Sequence, residues 1–229
     1  MPTIQDEEFG TITVRRSAKA SHVRIRVAPN GTLRASLPLY APLFVVKRLI
    51  KNSRPELQQM LREHHGDTHY EAGMQIGKSH SLVVRPSTSL SATRHGQQII
   101  LSLPDTVNLN SPPVIKVLQP VIIQSLRIEA KSYLPKRLAY LAHAYGFHYD
   151  SVRFSHASGR WGSCSSNGTI SLNIALMKLP FELIDYVIIH ELSHTVQMNH
   201  SDKFWQLVAV GDPQYRVHRR DLKKETPSI

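Results

Sequence analysis

Cysteine is almost missing from this 229-residue chain. The single thiol, Cys164, excludes an internal disulfide framework and a cysteine-rich zinc knuckle, so a bound metal must be held by imidazole and carboxylate. Such cysteine usage fits a reducing compartment. Long apolar runs are missing too, since stretches such as VIIQSL and YVIIHEL fall far short of the roughly 20 residues of a membrane span. The N-terminal stretch MPTIQDEEFGTITV begins acidic and lacks the basic start and apolar core of an export signal. Together these absences predict a soluble cytoplasmic protein with no membrane partner. Acidic residues are in deficit, 17 Asp plus Glu against 28 Lys plus Arg, for a formal net charge of +11 and a pI near 9.9. That balance favours acidic partners, nucleic acid among them. Aromatics are sparse, and the densest basic cluster, RVHRRDLKK at 216–224, lacks the interleaved rings on which base-stacking proteins rely, so it reads first as a solvated helix face.

Hydrophobic residues make up 41% of the chain, enough for one large core or two small ones. VRIRVAPNGTLRASL, residues 23–37, alternates apolar and polar on both sides of Asn30-Gly31 and predicts a hairpin. From Pro42 to Leu61, Phe44, Val45, Leu49 and Leu57 recur at helical spacing, with Pro55 placed to split the segment. SLVVR at 81–85 and QQIILSL at 97–103 read as strands around a His95-Gly96 turn. The Pro-Pro pair in TVNLNSPPVIK, residues 106–116, marks a boundary, giving a β-rich N-terminal subdomain with a helical insert over 1–112 and a second domain over 113–229.

Helix dominates that second part. Leu126, Ala130, Leu134, Leu138, Leu141 and Ala142 share one side of a helix over 121–145, with a kink or break expected at Pro135 and a stop at Gly146. SVRFS at 151–155 and GTISLNI at 168–174 read as strands separated by the loop RWGSCSSNG. Pro180 opens the next helix, on which Ile184, Ile188, Leu192 and Val196 form a buried stripe. The class is α+β.

The chemistry concentrates in HELSHTVQMNH, residues 190–200. An α-helix turns about 100° per residue, so His194 lies about 40° from His190 and one turn along the same face. Glu191 falls about 60° from His194, beside the two imidazoles and able to reach a water on a metal they bind. On a continuous helix His200 would sit about 15 Å further along and on another face, so the helix must end first. Asn199 tolerates the left-handed conformation that ends helices, and a turn through Gln197, Met198 and Asn199 would bring His200 back. Three nitrogen ligands leave the fourth tetrahedral position open, which separates a catalytic zinc from a structural one. The spacing thus predicts Zn2+ on His190, His194 and His200, with Glu191 as general base.

Residues 160–205 carry further motifs: Arg160-Trp161-Gly162-Ser163-Cys164, then Ser171-Leu172-Asn173, the HELSH segment, Asn199-His200-Ser201 and Phe204-Trp205. In these the chain resembles the YgjP-like metallopeptidase family, which is similar in turn to SprT-like proteases. The hairpin at Asn30-Gly31, YLPKRL at 133–138 and DPQY at 212–215 extend the likeness. The resemblance implies a zincin-like metallopeptidase domain, zinc on the three histidines and Glu191 as base. The distance from His194 to His200 is that of the metzincin signature H-E-x-x-H-x-x-G-x-x-H, but Gln197 stands at the glycine position. Asp202, Asp212 and His218 are the substitute third ligands.

The expected activity is zinc-dependent hydrolysis of a protein or peptide substrate. GTISLNI reads either as an edge strand to which an extended peptide adds or as an ordinary sheet strand. Arg160 could hold a carboxylate and Ser163 could donate to an oxyanion, although RWGSC reads first as a structural loop. Cys164 reads as a small hydrophobe, and Phe204 and Trp205 as anchors for the His200 segment. The alternative function is a nucleic-acid-associated SprT-like protease, or a DNA-binding protein with a mainly structural zinc.

Overall fold

The computed structural model describes residues 2–18, 20–28, 32–65, 69–157, 159–227 and 229. Its contacts divide the chain into two compact units, Met1–Thr68 and a larger one over His69–Pro227 with Ile229.

In the first unit β1 (Thr3–Asp6), β2 (Gly10–Arg16), β3 (Arg24–Val27) and β4 (Leu33–Leu37) form a sheet in the order β1-β2-β4-β3, with only β2 and β4 parallel. The predicted hairpin is present as β3 paired antiparallel with β4, while its Asn30-Gly31 turn lies outside the described residues. β1 and β2 were not expected. Two helices follow, α1 (Leu43–Asn52) and α2 (Arg54–His65), and they divide at Ser53 because Pro55 sits in the first turn of the second. The buried face of α1 is Val46 and Ile50 rather than the expected Phe44, which is exposed. Those two, with Leu57, pack on Ile4, Ile12, Val14, Leu33, Ala35 and Leu37 from one side of the sheet.

The second unit begins with β5 (Gln75–Ile76), β6 (His80–Pro86), β7 (Ser91–His95) and β8 (Gln98–Leu103), in the order β5-β6-β8-β7. The Gly96 turn joins β7 to β8, whereas β6 and β8, read from sequence as partners around it, lie side by side in parallel. Next comes α3 (Pro112–Tyr145), a single 34-residue helix that Pro135 does not break and that Gly146 ends in a left-handed cap at φ 71°. All six residues of its predicted stripe are buried. They share one core with Leu82, Ile99 and Leu101, so residues 69–112 join the second unit and the Pro112-Pro113 pair starts its long helix.

β9 (Ser151–Ser155), β10 (Gly162–Cys164) and β11 (Thr169–Asn173) form a further sheet in the order β10-β11-β9. GTISLNI is therefore the central strand and no edge, and part of the expected RWGSC loop is the edge strand beside it. A short 3-10 turn, Ile174–Lys178, leads into α4 (Phe181–Ser193), followed by α5 (Asp202–Gly211) and α6 (Tyr215–Leu222). On α4, Ile184, Ile188 and Leu192 are fully buried, but Val196 is 61% exposed because the helix ends at Ser193. No helix among the described residues is long and apolar enough to cross a membrane.

Candidate metal centre

His190 and Glu191 project from the last turn of α4, and His194, immediately beyond it, keeps right-handed helical dihedrals at φ −68° and ψ −20°. The segment after it turns back without a left-handed residue, since positive φ occurs only at glycines among the described residues. Asn199 therefore does not act as expected. Hydrogen bonds make the turn instead: Val196 N–H and Gln197 N–H donate to the Ser193 carbonyl, and Thr195 Oγ1 to the Leu192 carbonyl. Asn199 Oδ1 accepts from Gln197 Nε2 and from the Ser201 N–H. Gln197, at the position of the metzincin glycine, offers its carbonyl 3.1 Å from His194 Nδ1. With Nδ1 donating there, the other ring nitrogen is left as an acceptor.

His190, His194 and His200 each offer a ring nitrogen, and the three atoms lie within 4.8 Å of one another. His190 Nε2 and His200 Nε2 face each other at 3.2 Å. Two ligands at about 2.05 Å from a tetrahedral zinc would be about 3.3 Å apart, so this pair already has the separation such an ion requires. Burial, reinforced by the neighbouring His194, His200 and Arg219, pushes the His190 pKa down to about 3, and burial lowers that of His194 as well. Neutral imidazoles are the form that binds metal. The donor set fits a cation.

Phe204 forms the floor. Its fully buried ring lies 4.9, 4.5 and 4.8 Å from the rings of His190, His194 and His200, and it stacks on His194 at 30°. Trp205 stacks on His200 at 27°, with Arg219 over its ring at 4.5 Å. The predicted anchoring role of these two aromatics is visible in these contacts. Asp212 and His218, two of the substitute ligands, pair with each other at 2.7 Å, and Asp202 opens α5. None of the three is in the cluster.

Glu191 is only 6% exposed. It lines a pocket of about 200 Å³ with Trp161, Gly162, Tyr186, His190 and Leu222. Burial raises its carboxyl to about 8, against the pull of Arg160. A cation bound nearby would favour the ionised form that a base requires. The backbone of β10 comes so close that a Cβ on Gly162 would stand 2.6 Å from Glu191 Oε1. Sequence reasoning passed over this contact, although a glycine inside a strand is the signal for such an approach. Asn173 holds the segment before β10 in place: buried at the end of β11, it donates through Nδ2 to the carbonyls of Ala157 and Arg160 at 2.7 and 2.9 Å.

The family model of the YgjP-like metallopeptidase domain matches residues 21–225. Among solved structures, the metallopeptidase zymogen of Pyrococcus abyssi abylysin is 27% identical over 39% of this chain and 92% of its own, with a TM-score of 0.36. No curated protein matches significantly.

Proposed function

The chain belongs to the YgjP-like metallopeptidase family, and on that premise we propose that it cleaves peptide bonds at a zinc ion held by His190, His194 and His200, with Glu191 as general base. The observation that carries the reading is the convergence of three ring nitrogens within 4.8 Å beside a buried carboxylate facing a pocket. An all-imidazole set with an open position suits zinc better than the oxygen-seeking cations. Bound there, zinc would polarise the scissile carbonyl and acidify a water toward a pKa of about 7. Glu191, buried beside the three histidines and facing the pocket, would accept the proton of the attacking water and pass it to the leaving amine. The Phe204 floor and the His194–Gln197 contact keep the imidazoles oriented, and Trp161 and Tyr186 line the pocket beside Glu191.

β10 supports a peptide substrate in particular. It has one strand neighbour among the described residues, and Gly162 brings its backbone against Glu191. An extended chain adding to its free edge would pass beside the base. We place this activity in the cytoplasm, a reducing compartment that the single cysteine favours. The test is Glu191→Gln with zinc analysis and hydrolysis of a fluorogenic peptide pool. Zinc content should persist, and cleavage should fall by about 10²–10⁴-fold. Undiminished cleavage would refute the role of Glu191, and absence of zinc from the wild type would refute the metal.

A further inference from the structure

The outer face of the first sheet takes no part in this chemistry. Side chains alternate across β1, β2, β4 and β3, so that one side packs under α1 and α2 and the other meets solvent. Strand register sets the outward residues in rows. One row runs Thr3, Thr13, Arg34, Arg26, and the next runs Arg15, Ser36, Arg24. All four arginines are exposed. Neither row holds a carboxylate, and Asp6 and Glu8 are engaged by Arg54 of α2.

Arg26 and Arg34 are direct cross-strand partners. Like charges in that position repel and weaken a sheet, and neither row supplies an anion to offset them. Arg24 is held by its Nε donating to His22 Nε2 at 2.8 Å. With Arg26, Ser17, Ser21 and Ser36 it lines a concavity of about 250 Å³.

We propose that this face binds the phosphodiester backbone of duplex nucleic acid without reading its sequence. Guanidinium groups match phosphate oxygens two bonds at a time. Arg24 and Arg26 are about 6.8 Å apart along β3, and Arg26 and Arg34 about 5 Å apart across the sheet, so the cluster meets several phosphates together. The rows carry no aromatic ring on which a single strand could stack its bases. They also carry no apolar side chain to enter a lipid surface. Their remaining members are hydroxyls, which suit phosphate and sugar contacts.

The measurement is fluorescence anisotropy of a labelled mixed-sequence duplex with the full chain at 50 and 200 mM salt. Four phosphate contacts predict an affinity loss of about 150-fold across that range. In the double variant Arg26→Ser/Arg34→Ser the loss should shrink to about 12-fold, with a thermal midpoint equal to or above the wild type because the repelling pair is gone. Glu191→Gln should bind as the wild type does, which separates this surface from the peptidase reading. No duplex binding at 50 mM salt, an unchanged salt dependence in the double variant, tighter binding of the corresponding single strand, or binding of phosphatidylserine vesicles in place of the duplex would each overturn the proposal.

Discussion

A methyl group added at Gly162 would stand 2.6 Å from Glu191 Oε1, 2.7 Å from its Cγ and 2.9 Å from its Cδ. Ordinary contact begins at 3.4 Å, so Gly162→Ala requires strand and carboxyl to part by about 0.8 Å. Neither yields freely. Glu191 sits between the fully buried Ile188 and Leu192 on α4, and β10 is fixed in register on β11. Overpacking of this kind costs about 1–3 kcal/mol, and each kcal/mol lowers the melting temperature by about 2–4 °C in a chain of this size. A base displaced by nearly an ångström costs about 10²-fold in kcat. The three imidazoles are untouched, so zinc should remain. Peptide hydrolysis, zinc analysis and thermal unfolding on one preparation make the test, with Ser163→Ala as the neighbouring control. Wild-type kcat in the Gly162→Ala protein would refute the argument that β10 positions Glu191, whatever happens to the melting temperature.

His200→Ala should lose most of its zinc on dialysis, and full occupancy in that variant would remove His200 from the ligand set. Asn173→Ala leaves the carbonyls of Ala157 and Arg160 without their donor, and should cost about 1–3 kcal/mol in denaturant unfolding while lowering kcat through β10. Unfolding at wild-type denaturant concentrations would contradict that. For Glu129, burial works to raise the pKa, yet the Lys78 N–H, the His80 ring and Ser79 together hold it below the ordinary value of 4.5. Its contribution is therefore complete above about pH 4.5 and is lost as the pH falls through the lowered native value. Glu129→Gln should cost about 1.5–3 kcal/mol at neutral pH and flatten the stability profile below pH 4.5, and parallel profiles for variant and wild type would refute the linkage.

Legibility from sequence followed the length and regularity of each element. The long stripe of α3 and the two-residue alternation of β3 and β4 repeat often enough to be read, and both are present. β5 has two residues and β10 three, too few for any period, and the role of β10 depends on which strand lies next to it. β7 was missed because Ser91, Thr93 and Arg94 give a polar strand whose partner lies across a tight turn. The placement of His190 and His194 on one face at the end of α4 follows from helical spacing alone. The return of His200 toward them was also expected from sequence, but it comes by another route than a left-handed Asn199. The turn depends on side-chain hydrogen bonds donated by Gln197 and Thr195 and accepted by Asn199, which no dihedral preference encodes.

The supports of the site are graded along the chain. At the start of α4, Lys78 Nζ donates to the Leu179 carbonyl and lies over the Phe181 ring at 4.4 Å. Gly77, beside it, admits the Glu129 carboxylate at a distance where any Cβ would collide. One turn along, Arg137 of α3 grips Asp185 with two bonds of 2.7 and 2.6 Å. Further on, Gly211 of α5 lets that helix press against Ile189, where a Cβ would stand 2.9 Å away. His190 and Glu191 are thus presented by an element fixed from three sides, and the ordering needed to hold them is met by folding itself. His200 is different, because the turn that carries it has Val196 and Met198 exposed and is closed mainly by hydrogen bonds at the surface. Such bonds contribute little net stability, so much of the entropy of fixing this turn falls on Phe204 and Trp205 and on the ion that the three histidines would share. On the proposed ligand set, metal affinity and the order of the turn would be one equilibrium, in which packing of the two aromatic rings sets how much binding energy would be left to hold the ion.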